Sequence, residues 1–284
     1  MFSLIKSYAL EIKEEWTKDN GPMLAAAQAY YYVLAIVPVM ILLLALLPYF
    51  QFDPDEVISL AEEFLPAAAM DIMEDTIIDA VTEPSGGILT VGIIGTIWSA
   101  SNGMNAFIQA VNAAYNAAEK RSFLIHRLLS IAMTFMLLLT VLISLLLPVF
   151  GGVILEGIEE VVDLPGGLST LFLILRWVVA FIIMVLILSV LYKLAPNEKV
   201  PYLHTLPGAA ASTLLWLLIS YGFSIYISNF GNFSATYGSL GGIIILMIWF
   251  FLTGAVLVAG AELNAVYHRR RKAFTAAKAE ERPM

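Results

Sequence analysis

The sequence predicts an all-α, polytopic membrane protein of six transmembrane helices with both termini in the cytoplasm, and three observations carry that prediction. Of 284 residues, 60% are hydrophobic and 13% charged, whereas soluble domains are about half apolar and a quarter charged. Six segments reach the roughly 20 mainly apolar residues that a helix needs to cross a bilayer. When all six cross, the basic loop residues fall on one side, as the positive-inside rule requires.

Residues 1–20 come first and are not a signal peptide. Phe2, Ile5, Tyr8, Ile12 and Trp16 recur at helical spacing between charges, which predicts an amphipathic helix lying on the inner leaflet rather than a continuous apolar leader. The membrane domain then occupies 21–268, with spans at about Leu24–Leu47, Ile88–Ala113, Leu128–Val153, Leu168–Leu194, Thr205–Ser228 and Leu240–Val266. Pro38 lies inside the first span after Tyr30, Tyr31 and Tyr32, and Pro148 near the end of the third, where each can kink its helix.

The second span is the weakest by hydropathy, and charge placement assigns it. With it in place, Lys6, Lys13, Lys18, Lys120, Arg121, Arg127, Lys193, Lys199 and the basic, then mixed-charge tail 269–284 share the cytoplasmic side. The opposite loops 49–87 and 156–167 contain no Lys or Arg but 10 and 4 acidic residues. The net charge of -8 is therefore a sidedness signal and implies no basic partner or nucleic acid. Within 49–87 the apolar spacing predicts two amphipathic helices over the outer mouth, broken at Pro66; the loop has no Asp-x-Asp-x-Asp-Gly calcium pattern.

Polar residues inside the spans are the candidate functional ones. Asn102, Asn105, Gln109, Asn112 and Asn116 are spaced 3, 4, 3 and 4 apart, one face of one helix. An unpaired amide in hydrocarbon costs several kcal/mol, so roughly this whole face must meet other helices or water. It reads either as interhelical hydrogen bonding, with close packing at Gly92 and Gly95, or as the wall of a water-filled pathway with Tyr30 and Tyr31. Arg176, about 12 Å below the start of its span at 1.5 Å per residue, either snorkels or meets an anionic substrate group. Glu262, near the inner end of the sixth span, is expected to pair with a cytoplasmic base such as Arg127. Residues 228–242, rich in Gly, Ser and Asn, read as an interfacial hairpin or a re-entrant gate.

Chemistry is conspicuous mainly by exclusion. The absence of cysteine removes disulfides, thiolate metal sites and Cys nucleophiles. His126, His204 and His268 show no metal spacing and read as solvated loop residues. The chain lacks Walker A, G-x-S-x-G and Ser-x-x-Lys patterns, so neither an ATP site nor a nucleophile is expected, and no cofactor or metal.

AAAQAYYYVLAIVPVMILLLALL, the Trp98–Asn112 stretch and SATYGSLGGIIILMIWFFLTGAVLVAGAELNAVY together resemble the YihY/BrkB family of bacterial inner-membrane proteins. The most specific parts are YGSLGG, with Tyr237, Gly238, Gly241 and Gly242, and GAELNA, with Glu262 and Asn264. The resemblance implies a six-span protein of the inner membrane. It also brings a ribonuclease BN label, which reads as a misassignment because the sequence shows no metal or acid–base cluster that would face RNA. The expectation is an ATP-independent transporter or lipid flippase for a lipid or small anionic substrate, with an envelope structural or assembly factor as the competing class and a membrane-associated ribonuclease as a third.

Overall fold

Where side chains are apolar on all faces, only a helix satisfies the backbone's own donors and acceptors without outside partners, and every element described in this chain is helical. The computed structural model describes residues 2–46, 85–139, 166–230 and 241–280, with the isolated positions Ile58 and Ile78. Its helices are α1 (Phe2–Lys18), α2 (Gly21–Leu46), α3 (Gly86–Ala114), α4 (Phe123–Leu139), α5 (Gly166–Leu194), α6 (Leu206–Phe230) and α7 (Gly241–Glu280). A 3-10 turn, Tyr202–His204, precedes α6. The two helices expected within 49–87, the end of the third span with Pro148, and Tyr237 and Gly238 lie outside the described residues.

Among the described residues four helices are long and apolar enough to cross a membrane, over Gly21–Val39, Trp177–Leu194, Tyr202–Ser228 and Gly241–Lys278. Their exposed residues suit lipid: Trp177, Ile182, Leu186, Leu214, Leu218 and Ile225 all face outward. α3 has 29 residues, about 44 Å at 1.5 Å each, so its length suffices, but its amides and serines lower its apolar character below that of the four. α4, over Phe123–Leu139, is apolar but shorter.

The helix that carries the sixth span runs on through most of the expected tail 269–284, as α7 to Glu280, because Arg, Lys and Ala are good helix formers and no Gly or Pro interrupts them. Within 1–20 the helix is α1, Phe2–Lys18, and its polar face is docked on α7. Arg270 Nε donates to Glu11 Oε2 at 2.7 Å and its Nη2 to Ser7 Oγ at 2.7 Å, while its guanidinium lies 4.1 Å from the Tyr8 ring centre.

The chain divides into two compact units. The smaller, Tyr31–Asn102, contains the C-terminal part of α2 and the N-terminal part of α3. There the close packing expected at Gly92 and Gly95 is present: a Cβ on Gly92 would lie 3.0 Å from Leu42 Cα, and one on Gly95 3.4 Å from Pro38 Cβ. α2 remains one helix through Pro38.

The larger unit, Met1–Tyr30 with Gly103–Met284, has its core where α3, α4, α5 and α7 meet, at Phe107, Ile108, Val111, Met133, Leu191, Tyr192, Ala261 and Ala265. Its polar contacts gather at one end. Lys18 Nζ reaches Asn116 Oδ1 at 3.4 Å, Arg269 Nη1 donates to Ala114 O at 3.1 Å, and Lys272 Nζ lies 3.9 Å from Glu198 Oε1.

Candidate functional site

Near this polar end α6 and α7 cross at backbone contact. A side chain on Gly208 would overlap Gly260 O and come within 2.5 Å of Asn264 Cγ, and one on Gly260 would overlap Ser212 Oγ and Tyr192 OH. Only glycine lets two helix backbones approach this far. The closeness brings polar groups into reach. Tyr192 OH donates to Leu257 O at 2.7 Å and lies 2.9 Å from Ser212 Oγ, which is 3.1 Å from Val256 O. Asn264 Oδ1 accepts from Gly208 N at 2.7 Å, satisfying one of the first-turn N–H groups that α6 leaves without an intrahelical partner. Asn264 is thus a cap supplied by a neighbouring helix.

The amide face of α3 divides into distinct roles. Asn116, with φ 52°, ends the helix: its N–H bonds Ala113 O at 2.8 Å and the Ala117 N–H bonds Asn112 O at 2.9 Å, the paired bonds of a Schellman cap with Asn in the left-handed position. Asn112 is buried, donating Nδ2 to Glu119 Oε2 at 3.1 Å and accepting from Asn197 N at 2.8 Å. Asn105 Oδ1 lies 2.6 Å from His126 Nε2. Gln109 is exposed, between the buried Ile108 and Ala110, and Asn102 is half-buried. The face is therefore not a single wall: Asn112 and Asn116 hold the 117–121 loop, while Gln109 meets the surroundings.

That loop is locked by charge. Arg121 donates to Ala195 O, Leu194 O and Pro196 O at 3.0, 3.1 and 2.7 Å, closing the last carbonyl of α5 and the two that follow it. Glu119 accepts from Arg121 N at 2.9 Å and lies 3.1 Å from His126 Nδ1. Burial works to raise the Glu119 carboxyl, but the Arg121 N–H, the nearby Arg121 and His126, and the Asn112 amide outweigh it and hold it below its ordinary value.

The histidines are not solvated loop residues. His126 is held as above, and His204 Nδ1 lies 2.8 Å from His268 Nδ1, so one ring donates while the other accepts. His268 is 8% exposed, with the Tyr115 ring tilted at 56° to it and 6.1 Å away and Glu198 3.9 Å from Nε2. Sequence reasoning missed this pair because the 3-10 turn before α6 and the C-terminal part of α7 are joined only by the fold.

The base that acts on Glu262 is Arg269 rather than Arg127, and acids surround it: Glu15, Asp19 and Glu262 each present a carboxylate oxygen within 4.8 Å of the other two. The Gly254 approach, with its Cβ position 2.9 Å from Ala25 O, draws α7 against α2 and hence against the α1–α2 turn. Asn20, at φ 55°, reverses that turn, and its carbonyl accepts from Met23 N at 2.9 Å. Burial is the largest cause that lifts the Asp19 carboxyl above its ordinary value, with Glu15 adding to it and Lys18, Glu262 and Arg269 opposing. The one sequence signal was the Glu15-x-x-x-Asp19 spacing, which puts both on one face of α1 and its turn.

Of the remaining residues singled out from sequence, Tyr30 is 59% exposed and Tyr31 half-buried. Gly241 is buried at the start of α7 and Gly242 exposed, with nothing within 4 Å of a Cβ there. Arg176 lies within α5, and its side chain is outside the described residues.

Comparison with known proteins covers almost the whole chain. The family described as virulence factor BrkB matches residues 12–284. The ribonuclease-like protein YfkH of Bacillus subtilis is 41% identical over 266 residues, 94% of this chain and 97% of that protein. The UPF0761 membrane protein PBPRA3489 of Photobacterium profundum is 28% identical over 94% of this chain and 82% of its own length. A UPF0761 membrane protein of Alkalilimnicola ehrlichii is 27% identical over 90% of this chain, which spans 57% of that relative. No solved structure matches the chain.

Proposed function

The chain belongs to the virulence factor BrkB family of membrane proteins, and from that membership we propose that it is an ATP-independent transporter or lipid flippase of the bacterial inner membrane. It would cross six times with both termini cytoplasmic and move a lipidic or small anionic substrate. The observation that carries the reading is Gln109, exposed on α3 between the buried Ile108 and Ala110. An exposed amide on a membrane helix calls for water or a polar solute beside it. The clustering of Lys18, Arg121, Arg269 and Arg270 contacts at one end of the larger unit supports a cytoplasmic placement of that end.

Reconstitution into vesicles with fluorescent phospholipids or anionic dyes tests the reading. Transport is expected in the wild type and lost in Asn102→Leu, Gln109→Leu; unchanged transport in that variant removes α3 as the route. Because the chain has no cysteine, single cysteines at Lys120 and Glu62 report sidedness with an impermeant maleimide. Labelling of Glu62→Cys but not Lys120→Cys in intact cells is the expected pattern.

The competing reading is a structural or assembly factor for the envelope. It gains from Asn112 and Asn116, which serve the loop rather than a pathway, and it predicts crosslinks from the acidic segment 49–87 with no vesicle activity. The ribonuclease-like name belongs to YfkH. For this chain we favour a non-enzymatic role without nucleic acid, since Glu262, the deepest of the clustered carboxylates, is 0% exposed and would not meet a phosphodiester. Metal-dependent RNA cleavage by highly purified protein would reverse that view.

A further inference from the structure

We propose that Glu15, Asp19 and Glu262 form a binding site for a hard divalent cation, clamping the α1–α2 turn to α7. Carboxylate oxygens are the ligands such ions take. Calcium binds at about 2.3–2.6 Å, so two oxygens on opposite sides of one ion stand roughly 4.6–5.2 Å apart. The three oxygens here all lie within 4.8 Å of one another, close enough to share one ion's shell.

The second observation is Glu262 itself. Its side chain is 0% exposed and directed at the other two acids, and with all three acids ionised neither of its oxygens has a hydrogen-bond donor. Asp19 Oδ2 is likewise buried and unbonded. A buried carboxylate is ordinarily paired or coordinates a metal. The bases nearby make their ion-pair contacts with Glu15: Lys18 Nζ lies 3.5 Å from its Oε2 and Arg269 Nη2 3.5 Å from its Oε1, while Arg269 Nη1 bonds Ala114 O. Lys18 and Arg269 attract Asp19, and Arg269 attracts Glu262, from farther off; among the described residues neither acid has a Lys or Arg in ion-pair contact.

The ligands also explain the motif. Glu262 and Asn264, two apart on α7, point to different neighbours: Asn264 holds the start of α6, and Glu262 the turn after α1. An ion would therefore tie α1, α2 and α7 at one point, beside the Arg270–Glu11 and Arg269–Glu15 contacts that dock α1. The site stands apart from the transport reading, since none of its residues lies on the α3 face.

The test uses the full chain in detergent, freed of metal by chelator and titrated with CaCl2, MgCl2 or MnCl2. Binding is followed by calorimetry and by the loss of the free Mn²⁺ paramagnetic resonance signal. One saturable site per chain with a raised unfolding temperature is expected. Affinity should weaken at least tenfold in Glu262→Gln and in Asp19→Asn, and stay unchanged in Glu14→Gln, an exposed acid one residue from Glu15. Absence of saturable binding in the wild type overturns the proposal, as does equal binding by Glu262→Gln. If Glu262→Gln does not fold, Asp19→Asn decides in the same way. Wild-type protein indifferent to all three ions but stabilised by Glu262→Gln would show that the acids share a proton instead, and would also overturn it.

Discussion

Replacing Gly260 by alanine tests how far the α6–α7 crossing governs stability. The new methyl would overlap Ser212 Oγ and Tyr192 OH, so either the helices separate or both side chains turn away. Turning away breaks the buried hydrogen bonds of the two hydroxyls, which with one proton each donate twice among Leu257 O, Val256 O and each other. At about 1 kcal/mol each they amount to roughly 2 kcal/mol. Overpacking adds about 1–3 kcal/mol, and alanine's better helix propensity returns about 1 kcal/mol. The net loss is roughly 2–4 kcal/mol, about thirtyfold or more in the folded-to-unfolded ratio at about 1.4 kcal/mol per decade. Gly222, on the same α6, has nothing within 4 Å of a Cβ, so Gly222→Ala should be neutral or stabilising by up to about 1 kcal/mol. Reversible unfolding of the detergent-solubilised variants, read by tryptophan fluorescence, measures both. Adding Ser212→Gly to Gly260→Ala should recover part of the loss, since it removes the nearest obstacle. Equal stability of Gly260→Ala and Gly222→Ala would refute the reasoning.

Further expectations concern the loop end of the larger unit. Asn116→Gly should preserve or raise stability and Asn116→Val lower it by about 1–2 kcal/mol, because φ 52° is a left-handed conformation that a β-branched residue resists; the same unfolding assay decides. Arg121→Ala should cost about 2–3 kcal/mol by freeing three carbonyls, and Arg121→Lys should recover little of it, since an ammonium cannot reproduce the planar fork. Glu119 is held below its ordinary 4.5, so its stabilising contribution is present above that value and fades as pH falls through its lower folded value. Glu119→Gln should therefore be less stable than wild type at pH 7, with the difference vanishing in acid.

Much of the fold is legible in one dimension. Helices and the membrane environment follow from apolar runs, and the close approach of α3 to α2 follows from Gly92 and Gly95. The polar face of α3 was legible as a face but not as a set of roles. Helical spacing says that Asn105 and Asn112 point alike; it does not say that His126 meets one and Glu119 the other. The histidines were misread for the same reason, since distance along the chain says nothing about the α6–α7 crossing that joins His204 to His268.

By itself the sequence determined the solvent and the helical class, because hydropathy belongs to each residue wherever it packs. Only the tertiary structure decided which charges meet. Asp19 and Glu262 stand at opposite ends of the chain and become neighbours because Gly254 admits the backbone of α2 to within van der Waals contact of α7. Electrostatic partners depend on distance through space, and that distance is set by the smallest side chains at helix crossings, far from the charges themselves.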